Sequence, residues 1–280
     1  MRHVRWSGTP RLDHPVLIAA FQGWNDAGDA ATTAGRWLRS RWAPAPLAEI
    51  DPEEFFDFTS VRPKVRLCDG VTRAIEWPIT QLTAGTVAGV DTAVLLGPEP
   101  QLRWRTFCGE VVDVARHLGA RLVLTLGSLL AEVPHTRPTT VIGSAAGDEL
   151  IERLDLGRST YEGPTGIVGV LHDACARAGV PAASLWAAVP AYVPGAPSPK
   201  AALALITRAA ELLSVPVVTT DLEVAAAAYE RQVTEVVVDD EEMTEYLQRL
   251  ERRYESGDGG APDGSLVAEV ERFLRDLRSD

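Results

Sequence analysis

The chain has 280 residues, of which 46% are hydrophobic and 24% charged, a composition typical of a globular protein that can bury a core. Its 39 acidic and 27 basic residues give a net charge of −12, and this charge excludes nucleic acid as an expected partner, because it opposes approach to a phosphate backbone. Three widely spaced cysteines favour reduced thiols in a cytoplasmic protein. No segment approaches ~18 uninterrupted apolar residues, so we expect no membrane span.

In chain order, short and nearly all-apolar runs alternate with longer segments of helical period. This pattern predicts an α/β domain with a doubly wound, mainly parallel sheet. The clearest strands are predicted at 16–21, 92–96, 122–126 and 185–189, with further strands at 65–67, 72–77 and 139–143. Helices are predicted at 29–42, 106–118, 148–154, 165–178 and 199–213.

The sequence changes character near residue 221. Apolar residues recur at helical spacing from Met243 to Tyr254, a polar and Gly-rich break follows at 256–264, and the spacing resumes at 266–277. The run 236–238 is the one strand-like signal in this part. Residues 221–280 hold 17 acidic and 7 basic residues, so most of the net charge lies here. We predict an α/β core at 1–220 and an acidic helical C-terminal region at 221–280.

The sharpest local signal is the loop that contains Trp24, Asn25 and Asp26. It lies directly after a buried-type strand and before a helix, where open α/β sheets place their ligand-binding loops. Asn25 is also the only asparagine in the chain. The alternative is a structural turn in which Asp26 and Asp29 cap the helix and Trp24 packs on the domain.

Two further loops also follow predicted strands. Glu99 lies between two prolines, and it is either a buried carboxylate with a raised pKa or the partner of Arg103 or Arg105 in a structural clamp. His135 and Arg137 lie between Pro134 and Pro138. A serine hydrolase is disfavoured because the G-x-S-x-G elbow is missing, and His135 is equally a structural loop residue, so we assign no catalytic residue.

A fourth loop contains Gly163, Thr165 and Gly166 and leads into a helix. Its glycines and the free amides of the helix start are suited to a small anionic ligand, such as a phosphate or carboxylate. The alternative is a tight helix start that uses glycine for lack of room. The acidic run 239–242 has no EF-hand spacing, and the sequence predicts neither a metal nor a cofactor.

Together these segments resemble the bacterial branch of the proteasome assembly chaperone 2 family. The resemblance is carried by the stretches GWNDAGDA at 23–30, PEEFFDF at 52–58 with RP at 62–63, GPEP at 97–100 with RW at 103–104, PHTRP at 134–138, GPTGIVGVL at 163–171 and SLWA at 184–187. It implies a doubly wound α/β core similar to nucleoside phosphorylases, a helical C-terminal part and self-association. In eukaryotes, members of the family pair with a sister chaperone and guide assembly of the proteasome α-ring.

The sequence therefore leaves two candidate functions. The first is a non-catalytic, homo-oligomeric interaction protein, with a trimer as one option and proteasome subunits as partners. The second is a small-molecule-binding protein, or a hydrolase- or phosphorylase-like enzyme, that uses the loops at the carboxyl ends of the strands.

Overall fold

The computed structural model describes residues 1–9 and 11–256. Its ten strands are β1 (Val4–Trp6), β2 (Val16–Gln22), β3 (Ala45–Ile50), β4 (Lys64–Cys68), β5 (Thr72–Glu76), β6 (Thr80–Val87), β7 (Val90–Pro98), β8 (Leu122–Ala131), β9 (Val141–Ala145) and β10 (Ala182–Pro190). Its helices are α1 (Ala30–Trp42), α2 (Trp104–His117), α3 (Asp148–Leu154), α4 (Ile167–Ala178), α5 (Pro199–Leu213), α6 (Thr220–Val238) and α7 (Glu241–Glu255).

Eight strands form one sheet in the order β1-β3-β6-β7-β2-β8-β10-β9. The four central strands, β7, β2, β8 and β10, are parallel, whereas the strands on either side pair antiparallel. The chain leaves β2 towards β7 on one side and returns to β8 on the other. The strand order therefore reverses at β2 and β8, and their carboxyl ends form the topological switch point.

Helices cover both faces of this sheet. Alternate residues of β2 point to opposite sides, so Val16 and Ile18 pack with α1 and α5 while Leu17 and Phe21 pack with α2 and α4. Burial on both faces explains why the central strands are almost entirely apolar. The predicted doubly wound α/β class is confirmed.

The sequence pattern missed β1, β3 and β6. All three belong to the antiparallel side of the sheet, where polar residues alternate with apolar ones, as in the sequence TQLTAGTV of β6. Strands β4 and β5, by contrast, were expected and form a separate two-stranded ribbon.

The C-terminal part of the described chain is helical, as expected. The strand-like run 236–238 is instead the end of α6, a continuous helix of 19 residues whose last three residues are these valines. Tyr229, Val233 and Val237 of α6 are buried, and Met243 and Leu247 of α7 pack against them. The predicted break from residue 257 onward and the helix at 266–277 lie outside the described residues, and the domain division at 220 stays a prediction. Within 1–9 and 11–256, no helix is both long and apolar enough to cross a membrane.

Candidate functional site

A cavity of about 1070 Å³ lies at the carboxyl ends of β2 and β8 and extends over β9 and the first half of β10. Its walls come from the loop after β2, the end of β8, strands β9 and β10, and the loop that leads into α4. This is the switch point of the sheet, where α/β folds of this kind bind ligands. The lining includes Trp24, Asn25, Asp26, Ser128, Thr165 and Trp186.

Asn25 is held at the wall of this cavity from several sides. Its backbone carbonyl accepts the N–H of Ser128 at 2.9 Å, and its side-chain Oδ1 accepts the N–H of Val168 at 3.5 Å. Gly166 makes room for the amide, since a Cβ there would lie 2.1 Å from Asn25 Oδ1. The residue is only 4% exposed. The Asn25 side chain thus connects two loops whose contacting residues are 143 positions apart in the sequence.

Asp26 borders the cavity, and its carboxylate is bound by α1. Its Oδ1 accepts the Thr32 N–H at 3.0 Å and its Oδ2 accepts the Thr32 hydroxyl at 2.5 Å. Thr32 N is one of the free amides in the first turn of the helix, so the carboxylate acts as a cap. Burial nevertheless raises the pKa of Asp26 above its ordinary value, although the bonds from Thr32 oppose that rise.

Glu99 joins the loop after β2 to the start of α4. Its Oε1 accepts the Ile167 N–H at 2.8 Å and its Oε2 accepts the Trp24 N–H at 3.2 Å. Gly23 permits this contact, because its φ is +146° and a Cβ there would lie 2.9 Å from the Glu99 Cβ. The clamp between Glu99 and Arg103 does not form: Arg103 instead pairs with Glu54, outside the cavity.

His135 and Arg137 lie away from the cavity, beneath the C-terminal helices. The His135 Nδ1 contacts Tyr192 Oη at 2.7 Å and its Nε2 contacts Thr234 Oγ1 at 2.9 Å. Burial lowers the pKa of this imidazole, and the nearby Lys200 lowers it further. Arg137 pairs with Glu251 at 3.0 Å.

Ser128 and His135 do not form a catalytic pair. The Ser128 hydroxyl donates to the Ala27 carbonyl at 2.8 Å, and the two ring nitrogens of His135 contact Tyr192 and Thr234. Among residues 1–9 and 11–256, no group of three or more His, Cys, Asp or Glu side chains is arranged to hold a metal ion.

Gly163, Thr165 and Gly166 belong to the loop that borders the cavity before α4. Thr165 lines the cavity, and Gly169 leaves space for it, since a Cβ at Gly169 would lie 2.0 Å from Thr165 Oγ1. Gly163 is covered by the Tyr161 ring, whose hydroxyl donates to the Pro164 carbonyl at 2.7 Å. The loop is therefore closely packed and also forms part of the cavity wall.

The chain matches a known protein family. The model of the PAC2 family matches residues 20–237. The chain belongs to the PAC2 family. The resemblance seen in the sequence motifs is thus confirmed.

Solved structures agree with this assignment. A PAC2 family protein from Streptomyces avermitilis is 45% identical with a TM-score of 0.77, and the alignment covers 83% of this chain and 99% of that one. A proteasome-assembly chaperone homologue from Mycobacterium tuberculosis is also 45% identical, with a TM-score of 0.75 and the same coverage. A protein of unknown function from M. tuberculosis is 29% identical with a TM-score of 0.84, and the alignment covers 98% of this chain and 96% of that one. No curated protein gives a significant match.

The cavity of this PAC2 protein also has walls that sequence reasoning missed. Trp186 of β10, His172 of α4 and two arginines, Arg158 and Arg208, line it. Gly127 makes room for Trp186, because a Cβ there would lie 2.6 Å from the indole ring. The signal for Trp186 was a large aromatic inside an apolar strand, which periodicity alone assigns to the core. His172 lies on the apolar face of a helix and carried no separate signal.

Proposed function

We propose that this PAC2 protein is a non-catalytic assembly chaperone that self-associates and binds proteasome subunits. The 45% identity to a proteasome-assembly chaperone homologue supports this role. The structural observation that carries it is an apolar surface on the β4–β5 ribbon, for which the described chain provides no cover.

The ribbon has one apolar face. Val65 pairs with Ile75 and Leu67 pairs with Arg73, so three aliphatic side chains, Val65, Leu67 and Ile75, lie on the same side, with Arg73 beside them. These three side chains are 58%, 59% and 53% exposed. A lone two-stranded ribbon is marginally stable in water, and contiguous exposed apolar residues mark interaction sites. We therefore infer that a partner covers this face.

A second copy of the chain is the partner that we propose for the ribbon, since self-association is what the family resemblance implies. Covering this face would bury three aliphatic side chains. At about 25 cal/mol per Å² of apolar surface, such burial favours association. Proteasome subunits would then bind the assembled oligomer.

Sedimentation velocity of three forms tests the self-association. We expect Ile75→Glu to shift the wild-type oligomer, of which a trimer is one option, towards monomer, because a carboxylate cannot be buried in an apolar contact without cost. Thr72→Glu places the same charge on the other face of the same ribbon and serves as the control. Equal sedimentation of all three forms would contradict a role for the apolar face. Circular dichroism melting checks that each variant is folded.

The proteasome role needs a separate measurement. Purified protein is mixed with proteasome α-type subunits, and ring formation is followed by native gel electrophoresis. We expect a changed rate of ring formation with the wild type and a smaller change with Ile75→Glu. If the subunits neither bind the protein nor form rings at a different rate, the chaperone proposal fails even where self-association is intact.

A further inference from the structure

The cavity at the switch point has features of a binding site that the chaperone role does not use. Its volume of about 1070 Å³ is large enough for a metabolite-sized ligand. Its walls come from separate parts of the chain and are fixed by buried contacts, such as those of Asn25 with Ser128 and Val168. A preformed site loses little conformational freedom when a ligand binds.

Asn25 provides an unused hydrogen-bond donor in this wall. Its Oδ1 and its backbone carbonyl are both engaged, whereas Nδ2 has no hydrogen-bond acceptor among residues 1–9 and 11–256. Nδ2 is not one of the fully buried polar atoms of the described residues that lack a partner. Because Asn25 lines the cavity, we infer that this N–H group is accessible from it. A donor on a residue that is 96% buried calls for an acceptor oxygen.

Trp186 provides a flat wall. One side of the indole lies against Gly127, and the rest of the ring lines the cavity. Leu129, Ile142 and Val168 add apolar surface around it. Aromatic rings favour offset or edge-to-face contacts with other flat rings, so this wall suits a planar ligand body.

The charges of the cavity disfavour a strongly anionic ligand. The acidic residues Asp29 and Asp155 line the described cavity beside the two arginines, and Asp26 also borders it, with its carboxylate bound by Thr32. Both arginines are already engaged, because Arg158 pairs with Asp148 while Arg208 donates to the Asp155 carbonyl at 3.1 Å and contacts Glu211 at 3.4 Å. An anion would gain no unpaired cation here and would lie near the acidic residues Asp29 and Asp155.

We propose that the cavity binds a small, flat, uncharged carbonyl compound, an aromatic or heteroaromatic amide or lactam. Its carbonyl oxygen accepts the N–H of Asn25 Nδ2, and its ring lies against Trp186. This inference is independent of the chaperone role. It also differs from the small anionic ligand expected from the sequence, and benzoate represents that class of ligand among the probes.

Ligand-observed NMR with three small probes tests the proposal on the full chain at pH 8. Benzamide is flat, neutral and has a carbonyl, benzoate adds a negative charge, and cyclohexanecarboxamide keeps the amide without the flat ring. We expect benzamide to bind with a millimolar Kd and the other two probes to bind at least about fivefold more weakly. Tighter binding of benzoate would overturn the uncharged class in favour of an anion. Equal binding of benzamide and cyclohexanecarboxamide, or no binding of benzamide at about 10 mM, would overturn the proposal.

An isosteric variant tests the role assigned to Asn25. Asn25→Asp keeps the oxygen that accepts from Val168 and replaces only the free N–H group, so we expect the affinity for benzamide to fall at least about tenfold. Gln81→Glu makes the same chemical change on β6, outside the cavity, and should leave the affinity unchanged. Trp186→Leu should also weaken binding by removing the flat wall. Wild-type affinity in both cavity variants would contradict the proposed contacts.

Discussion

The side chain of Asn25 occupies the space that a Cβ on residue 166 would need. That Cβ would lie 2.1 Å from Asn25 Oδ1, far closer than two nonbonded atoms can approach. The only asparagine of the chain and the glycine before α4 are therefore matched to each other. This pair joins the first motif of the sequence to the fourth and explains why both border one cavity.

Gly166→Ala should disturb this match. We expect the free energy of unfolding to fall by about 1–3 kcal/mol, because either Asn25 or the start of α4 must move. Urea unfolding measures the change. Gly157→Ala in the same loop is the matched control, since a Cβ there meets only the Gly143 carbonyl at an ordinary 3.6 Å. Equal losses in the two variants would contradict the steric explanation.

Thr32→Val should destabilise the protein through Asp26. The substitution keeps the shape of the side chain but removes the hydroxyl that donates to Asp26 Oδ2, so we expect a loss of about 1–3 kcal/mol. Losing this donor raises the folded-state pKa of Asp26 further above the ordinary 3.8. A folded state that holds its proton more tightly loses stability as pH rises, so the deficit should be larger at about pH 7 than at about pH 4.

Urea unfolding of Thr32→Val at both pH values checks this expectation. The double variant Asp26→Asn/Thr32→Val serves as the control, because it lacks the titrating carboxyl. A deficit in Thr32→Val that does not depend on pH would show that Asp26 is not the group affected.

His135 should make the stability sensitive to mild acid. Burial and Lys200 lower its folded-state pKa below the ordinary 6.5, whereas Glu230 and Glu251 partly oppose the change. Above about pH 6.5 the imidazole is neutral in both states, and its contribution is fully present. As pH falls below that value the unfolded chain binds the proton first, so stability is lost.

Denaturant unfolding between roughly pH 5 and pH 8 measures this slope. We expect His135→Gln to reduce it. His172, whose pKa is also lowered by burial, contributes in the same direction, so His172→Gln is measured beside it. An unchanged slope in His135→Gln would assign the acid sensitivity to other groups.

Glu99→Gln should weaken the link between the loop after β2 and α4. The amide replaces a charged acceptor of the Ile167 N–H in the first turn of a helix, where negative charge is favoured. We expect a loss of roughly 0.5–1.5 kcal/mol. Glu53→Gln, at an exposed position on the surface, is the control in the same thermal or urea unfolding experiment. A loss of the same size in the control would argue against the helix contact.

The sequence predicted best those strands that are buried on both faces of the sheet. The strands β2, β7, β8 and β10 were found because helices cover both of their faces, which requires runs of apolar residues. Strand β6 was missed because its polar positions alternate with apolar ones. Trp186 was missed as a cavity residue because a tryptophan in the core and a tryptophan at a cavity wall have the same local sequence.

By itself, the sequence determined the α/β class, the family motifs and the loops that follow the central strands, because these depend on local periodicity and composition. Only the tertiary structure decided which loops meet. Asn25 and Thr165 line one cavity, whereas His135, which follows another central strand, is bound by Thr234 of α6. That choice depends on contacts about 100 to 140 residues apart in the chain, for which a single sequence has no periodic signal.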